Sequence, residues 1–354
     1  MNSLNNLRER FDELSIDALL VYDELNIRYL CGFSFTDGLL LITRKRALLL
    51  TDFRYLEMAE KNAYSDFEVI ASPDRTNIIL SALKDENVKA IGFEGRAVSY
   101  ARYHALTEIY KDYKLADIGG VIESLREVKT EQELSYMAKA QEITDKAFSE
   151  LLGVLTPDMT EIEVAAELEY RMRRLGSEGV AFDTIAVSGA SSALPHGTPS
   201  SDKLKPGFLT MDFGASYNGY LSDMTRTVVI GKADEDIKRV YNTVLSAQRA
   251  ALDFLRAGVV CADADKVARD IIDAVYPNTF GHSLGHSVGL FVHEEPRLAA
   301  KVTDRILRVN EVVTVEPGIY LYGKYGCRIE DMVAIEKDGV RNFTKSTKDL
   351  IEIY

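Results

Sequence analysis

Apolar residues occur in two patterns along the chain, as short unbroken runs and as repeats of helical period. In the first third, short apolar runs predict strands at residues 18–22, 38–43, 47–50, 67–70 and 90–93. Repeats of helical period predict helices near residues 3–14, 54–63, 75–85 and 99–110. Strands that alternate with helices are typical of an α/β domain with a mixed sheet.

The pattern changes near residues 117–130, where one unit ends and a long helix begins. We therefore predict two domains, residues 1–125 and residues 126–354. The first is expected to be a smaller α/β domain. The second is expected to be α+β, with strands that carry the unusual polar residues.

The second domain opens on two helix-start signals. Thr130 with Glu133, and Thr160 with Glu163, have the spacing of a capping box. They predict a long helix over residues 131–152 and a shorter one after it. The remaining pattern predicts helices at 234–257 and 264–276 and strands at 182–189, 311–322 and 326–336.

Composition narrows the class of protein. With 354 residues and 46% hydrophobic residues, the chain can bury two sizeable cores. Its net charge of −13 argues against nucleic acid or an anionic membrane as a partner. The polar N-terminal stretch is not typical of a signal peptide, and no apolar window approaches the ~18 residues of a membrane span. The three cysteines are widely separated, which favours reduced thiols and a cytoplasmic location.

Three of the chain's five histidines lie between residues 281 and 296, among glycines. They are His282, His286 and His293. Imidazole is a common metal ligand and titrates near neutral pH, so this stretch is a candidate site. A second interpretation is open, in which His282 and His286, four residues apart, share one helix face as hydrogen-bonded core residues.

Two segments of the second domain place an acid on an apolar strand, a glycine turn, and a second acid on the returning strand. In the first segment, Asp212 and Asp223 flank the hairpin signal Asn218-Gly219. We expect the two acids to lie roughly opposite each other. Because the turn is offset from their midpoint, we also expect a bulge.

The second segment has the same arrangement. Glu316 and Glu330 are centred on Gly323, so they are also expected to lie opposite each other. Acids on such apolar strands are rarely buried unless they pair with a cation. Separate salt bridges are one solution, and Arg226 and Arg328 lie close enough in sequence to form two of them.

Divalent cations are the other solution. Four buried acids on paired hairpins would repel one another unless they were protonated or neutralised. Oxygen ligands with one imidazole suit Mn²⁺, Co²⁺, Fe²⁺ or Zn²⁺ in a site that holds two metal ions.

The ordered set of candidate ligands resembles that of the pita-bread-fold metallopeptidases, a group that includes methionine aminopeptidases, aminopeptidase P and prolidase. The set is Asp212, Asp223, His286, Glu316 and Glu330. The motifs around it are similar to those of the proline-specific branch, namely Leu194-Pro195-His196-Gly197, residues 219–227, His293-Glu294-Glu295-Pro296 and residues 316–320. Two positions depart from the family pattern, Ser287 where glycine is usual and Cys327 where valine is common.

The resemblance implies a fold and a metal site. The second domain would have the pita-bread fold, preceded by a creatinase N-terminal-like α/β domain, and the protein would be a homodimer. Asp212 would bind one metal through both oxygens, Asp223 and Glu330 would bridge the two, and His286 and Glu316 would complete the other shell. Manganese is the first choice of metal, with cobalt, zinc or iron as alternatives.

The resemblance also implies roles for other residues. Glu316 would move the proton, while His196 and His293 would contact the substrate and stabilise the tetrahedral oxyanion. Tyr320 and Arg328 would contact the substrate or support the metal ligands, and His282 would have a supporting role. For a proline ring, apolar contacts are expected from Phe182, Phe291 and Tyr320.

The first functional prediction is an Xaa-Pro aminopeptidase that cleaves small peptides with proline at the second position. An Xaa-Pro dipeptidase with the same site is the alternative. A third possibility is a binding protein that keeps the pita-bread fold without catalysis, but such proteins usually lose ligands and often carry basic tails. Creatinase-type hydrolysis without metal is set aside because all five acidic and imidazole ligands are present.

Overall fold

The structure, a computed structural model, describes residues 3–354, so residues 1 and 2 of the polar N-terminal stretch lie outside it. Its internal contacts divide the chain into two compact units, Met1–Arg126 and Glu127–Tyr354. None of the helices in the described range is long and apolar enough to cross a membrane. All three cysteines are buried free thiols.

The first unit is built on a mixed six-stranded sheet. Its strands are β1 (Ala18–Val21), β2 (Leu39–Thr43), β3 (Ala47–Thr51), β4 (Glu68–Ala71), β5 (Ala90–Phe93) and β6 (Lys114–Asp117). Its helices are α1 (Ser3–Glu9), α2 (Phe11–Leu14), α3 (Glu24–Cys31), α4 (Leu56–Asn62), α5 (Arg75–Asp85), α6 (Tyr100–Ile109) and α7 (Val121–Arg126). The strand order is β4-β3-β2-β1-β5-β6, with the β1-β2 and β2-β3 pairs antiparallel and the other pairs parallel. Apolar cores lie on both faces of this sheet, which is why its central strands are unbroken apolar runs.

Most of these elements match the predicted ones, but three do not. The predictions omitted α3, β6 and α7. Helix α3 begins where the Asp23 side chain accepts a hydrogen bond from Asn26 N at 2.9 Å, and it ends at Gly32, whose φ is 77°. Strand β6 is an edge strand with exposed ends, so it lacks the apolar run that identifies a central strand.

The second unit contains four long helices and thirteen short strands among the described residues. The helices are α8 (Glu131–Leu152), α9 (Glu161–Arg174), α10 (Glu235–Phe254) and α11 (Cys261–Asp273), and a 3-10 turn spans Gly189–Ala193. The strands are β7 (Ile185–Ser188), β8 (Gly207–Phe213), β9 (Ser216–Tyr217), β10 (Tyr220–Leu221), β11 (Met224–Ile230), β12 (Gly285–Ser287), β13 (Glu294–Leu298), β14 (Val312–Val315), β15 (Gly318–Leu321), β16 (Tyr325–Arg328), β17 (Asp331–Ile335), β18 (Val340–Asn342) and β19 (Glu352–Ile353).

Two larger sheets carry the candidate site. One has the order β19-β11-β8-β7 and the other β13-β12-β14-β17-β18, while β9-β10 and β15-β16 form two-stranded extensions. Helices α8 and α9 pack with the first sheet, and α10 and α11 belong to a second apolar core with β14 to β17. Both predicted capping boxes form, at the starts of α8 and α9. The α+β prediction for this half is confirmed.

The first acidic hairpin has a different register from the one expected. Strand β8 pairs with β11 so that Asp212 lies opposite Thr225 instead of Asp223. The turn is Asn218-Gly219 itself, with φ of 47° and 72°, as a two-residue turn requires. Strands β9 and β10, next to the turn, pair in the same register as β8 and β11. The expected bulge is therefore absent from this described segment. Asp223 is instead a diagonal neighbour of Asp212 on the same face.

The second acidic hairpin has the register that the sequence predicts. Val315 pairs with Asp331 on one side, and Gly318 pairs with Arg328 on the other. This shared register puts Glu316 opposite Glu330, with the turn at Gly323, whose φ is 73°.

Replacing the cap of α9 tests the helix start in the second unit. The Thr160 hydroxyl accepts a hydrogen bond from Glu163 N at 3.2 Å, so Thr160→Ala leaves a helix donor unpaired. We expect a loss of about 1 kcal/mol of stability and a fall of about 2–4 °C in the calorimetric midpoint. Thr160→Ser keeps the hydroxyl and is the matched control. Equal midpoints for the alanine and serine variants would contradict the capping role.

Candidate metal centre

A cleft in the second unit brings the predicted site residues together. It encloses about 330 Å³. Of the nine residues predicted as ligands or substrate contacts, eight line it: Asp212, Asp223, His286, Glu316, Glu330, His196, His293 and Arg328. The ninth, Tyr320, is outside the lining, and its hydroxyl accepts a hydrogen bond from Arg328 at 2.9 Å.

Three buried side chains form the centre of the cleft. One ligand atom from each of Asp223, His286 and Glu330 lies within 4.8 Å of the other two. Asp223 and Glu330 each immediately precede a strand, β11 and β17, while His286 is the central residue of β12. Positions within or directly beside a strand therefore fix the backbone of these three candidate ligands.

The imidazole of His286 presents its Nε2 atom to two of the acids. Its Nδ1 lies 3.2 Å from Ser287 O, which accepts a hydrogen bond if Nδ1 carries the proton. Nε2 then has a free lone pair and lies 3.3 Å from Glu316 Oε1 and 3.7 Å from Asp223 Oδ2. Burial lowers the pKa of His286 to about 3, so the ring is neutral, as a metal ligand must be.

One of the four acids has an arginine partner. Arg328 donates to Asp212 Oδ2 at 2.6 Å, as the salt-bridge interpretation allows, while Asp212 Oδ1 is buried with no hydrogen-bond partner. Arg328 also donates to the Tyr320 hydroxyl at 2.9 Å. The same hydroxyl lies 2.9 Å from His282 Nε2. One Asp212 oxygen is thus buried in the cleft without a hydrogen-bond partner.

Arg226 does not form the salt bridge to one of the four acids that the sequence suggested. Its guanidinium pairs with Asp331 at 2.8 Å, and both side chains are fully buried. It also donates to the backbone carbonyl of Glu330 at 2.6 Å. The salt-bridge interpretation is therefore wrong for Arg226, which holds the Glu330 backbone from behind and leaves its carboxylate unpaired by any arginine.

The protein groups present do not neutralise the centre. Burial, followed by repulsion from Glu330 and the other acids, raises the pKa of Asp223 well above its usual range. Burial and the neighbouring acids do the same for the pKa of Glu330. Burial raises the pKa of Glu316 to about 7. Divalent cations would remove this repulsion, so the donor set of oxygens and one imidazole fits them.

The other histidines occupy different places. His196 and His293 are exposed at the cleft, and the His293 ring lies edge-on to His286 with centroids 4.4 Å apart. His282 lies in the loop before β12, and burial lowers its pKa to about 4. The helix-face interpretation for His282 and His286 is wrong, because His286 is on a strand.

Of the three expected apolar contacts, Phe182 lines the cleft. Phe291 is half exposed and is not among the lining residues, and the Tyr320 hydroxyl is taken up by Arg328 and His282. The sequence interpretation also missed Arg297, which lines the cleft. Its only signal was its place directly after the His293-Glu294-Glu295-Pro296 motif.

The fold and the donor set together define a class, a two-unit peptidase that depends on metal ions, and comparison with known proteins agrees. Residues 135–337 match the model of metallopeptidase family M24, and residues 4–128 match that of the creatinase/prolidase N-terminal domain. The chain belongs to metallopeptidase family M24. It is therefore a hydrolase, and the predicted pita-bread fold with a creatinase-type N-terminal domain is confirmed.

Relatives match the chain from end to end. A Pyrococcus horikoshii protein named Xaa-Pro dipeptidase is 38% identical over 349 residues, 97% of each chain. The solved structure of a Xaa-Pro dipeptidase from Bacillus anthracis has a TM-score of 0.95 and 40% identity, covering 99% of each chain. That of an X-Pro aminopeptidase from Thermotoga maritima has a TM-score of 0.91 and 38% identity, covering 100% of each chain.

Thermal stability tests the metal centre without an activity assay. We expect Mn²⁺ to raise the unfolding midpoint of the parent and chelation to reverse it, with about 2.7 kcal/mol gained at a hundredfold excess over the dissociation constant. Asp223→Asn removes a candidate ligand oxygen and one of the acids that repel one another. The metal-free variant should be at least as stable as the metal-free parent, but it should gain little from Mn²⁺.

Asp183→Asn is the matched control, because Asp183 is an exposed acid that lines the same cleft. It should respond to Mn²⁺ as the parent does. A normal response from Asp223→Asn, measured by calorimetry, would show that this carboxylate is not a ligand.

Proposed function

We propose that the protein is an Xaa-Pro dipeptidase, which hydrolyses the bond before a C-terminal proline. The observation that carries the proposal is the buried group of Asp223, His286 and Glu330 within 4.8 Å, in a chain of family M24. The names of the Pyrococcus horikoshii and Bacillus anthracis relatives support the dipeptidase over the aminopeptidase that the sequence put first.

The centre would hold two divalent ions, with manganese as the proposed metal. The ligands would be the five residues predicted from the sequence, Asp212, Asp223, His286, Glu316 and Glu330. The unpartnered Asp212 oxygen and the mutual repulsion of the other acids support this assignment. Bound ions of this kind polarise a peptide carbonyl and make water acidic enough to attack it near neutral pH.

The side chains around the centre would have separate roles in the hydrolysis. Glu316 would take the proton of the attacking water and pass it to the leaving proline nitrogen. Its Oε1 accepts a hydrogen bond from the Thr314 hydroxyl at 3.0 Å, which holds the carboxylate in place. His196 and His293, both exposed at the cleft, would donate to the substrate carbonyl as negative charge develops on its oxygen.

Arg297 gives a physical reason for a dipeptide preference. Its side chain is 46% exposed, and Glu295 is 3.8 Å away, too far for a hydrogen bond. The other arginine in the cleft, Arg328, is already bound to Asp212. Arg297 would therefore be available for the C-terminal carboxylate of a dipeptide, in a cleft whose volume of about 330 Å³ suits a small ligand.

Three further attributes remain predictions. We propose that the protein acts on free dipeptides in the cytoplasm, that it forms a homodimer, and that it binds neither nucleic acid nor membranes. The net charge of −13 supports the exclusion of polyanionic partners.

Hydrolysis of Ala-Pro, Ala-Pro-amide and Ala-Pro-Pro with Mn²⁺ tests the function. The parent should cleave Ala-Pro far faster than the other two, because only Ala-Pro places a carboxylate beside Arg297. Arg297→Gln should raise KM for Ala-Pro by about 10- to 100-fold, as expected for the loss of a charged hydrogen bond. The same variant should leave the slow cleavage of Ala-Pro-amide almost unchanged.

The control is Arg341→Gln, which removes an arginine outside the residues that line the cleft. Faster cleavage of Ala-Pro-Pro than of Ala-Pro by the parent would select the aminopeptidase instead. No hydrolysis with any of Mn²⁺, Co²⁺, Zn²⁺ or Fe²⁺ would favour a binding protein.

A further inference from the structure

A lysine is buried close to the candidate metal centre without belonging to it. Lys129, near the start of the second unit, has a side chain that is 1% exposed. Its Nζ donates to Ser287 Oγ at 3.1 Å, to Glu127 O at 3.2 Å and to Glu294 Oε2 at 3.3 Å. A buried ammonium is costly unless it is paired, so this pair is a specific feature of the fold.

Glu294 is surrounded by the loop that precedes it. Its Oε1 accepts a hydrogen bond from Phe291 N at 3.1 Å. Its carboxylate lies against Gly289, where a Cβ would be 2.5 Å from Glu294 Oε2. The loop of residues 288–293 is therefore closed around one carboxylate, and Lys129 supplies the charge that balances it.

This loop connects two imidazoles of the cleft. His286 lies on β12 just before it, and His293 is its last residue, directly before Glu294. His293 is exposed, so close packing does not fix it, and its described ring contacts are with His286 and Phe291. Its place depends on the backbone of the loop.

Lys129 is itself held firmly. Its backbone N–H donates to Asn310 O at 2.9 Å, and the preceding Val128 forms an antiparallel bridge with Glu311. Arg305 and Arg308 pair with both Glu127 and Glu311. The ammonium is thus a fixed point against which the loop can be positioned.

We propose that Lys129 is a positioning residue for His293, acting through Glu294 and the loop of residues 288–293. This inference rests on the role proposed above for His293 in dipeptide hydrolysis. Without the ammonium, the buried Glu294 carboxylate has lost its balancing charge and draws in water, and the loop loosens. His293 then leaves the position from which it reaches the substrate, although the metal ligands stay in place.

Hydrogen exchange tests the structural half of the inference without using activity. In Lys129→Met, amide exchange should become faster in residues 288–294 and stay unchanged in α11, which serves as the internal reference. Lys301→Met, which removes an exposed lysine, should change neither segment. Unchanged exchange in residues 288–294 would overturn the inference even if hydrolysis were impaired.

A double-mutant cycle tests the functional half. With Ala-Pro and saturating Mn²⁺, Lys129→Met should lower kcat by about 10- to 100-fold, since small displacements of a catalytic group cost this much, and should change KM less than about threefold. Adding Lys129→Met to His293→Ala should cause little further loss, because both changes remove the same contact. Fully additive losses would overturn the inference.

Further measurements distinguish a failure of this inference from a failure of the proposed function. Mn²⁺ binding, measured by electron paramagnetic resonance, should be equal in parent and Lys129→Met, and a weakened affinity would overturn a role through His293. If Lys129→Met does not fold, Glu294→Gln replaces it. The two donors contact different oxygens of Glu294, and the amide nitrogen of glutamine cannot accept a hydrogen bond, so either Lys129 Nζ or Phe291 N loses its acceptor. A parent that cleaves no proline dipeptide would refute the proposed function, and the exchange result would then decide the inference alone.

Discussion

The structure depends on holding like charges together. Asp223 and Glu330 are buried, and the side chains of Asp212 and Glu316 are only 15% and 14% exposed. Groups that repel in this way separate unless the backbone prevents it or a cation joins them. Here the backbone does much of this work, because each acid lies on or directly beside a strand and Glu330 N donates to Thr225 O at 3.1 Å across the two hairpins.

The arginines near the centre show how selectively the charge is balanced. Arg226 is fully buried, yet its guanidinium faces Asp331 and the Glu330 carbonyl and leaves the Glu330 carboxylate without an arginine partner. Arg328 binds one Asp212 oxygen and leaves the other without a partner. An arginine placed on every acid would have made a stable ion cluster with no room for metal ions. The observed arrangement balances part of the charge and leaves carboxylate oxygens of Asp212 and Glu330 without an arginine partner.

Local sequence predicted what is set by neighbouring residues. The capping boxes at Thr130 and Thr160 formed as predicted, because their contacts span three residues. Glu316 lies opposite Glu330 because Gly323 sets the register. For Asp212, the expected register gave way to the preference of Asn218-Gly219 for a two-residue turn. Asp212 and Asp223 still lie on the same face of the sheet, because diagonal neighbours on paired strands point to the same side.

What the sequence could not predict depends on distant segments. Lys129 and Glu294 are 165 residues apart, and Arg328 and Asp212 are 116 apart, so no periodicity links them. Arg297 had no signal beyond its place after the His293-Glu294-Glu295-Pro296 motif, because an arginine on a partly exposed strand has no distinguishing pattern. The candidate ligands stood out in the sequence because their residue types are unusual on apolar strands. Residues such as Lys129 and Arg297 are ordinary types in ordinary places, and only the folded arrangement brings them close to the candidate site.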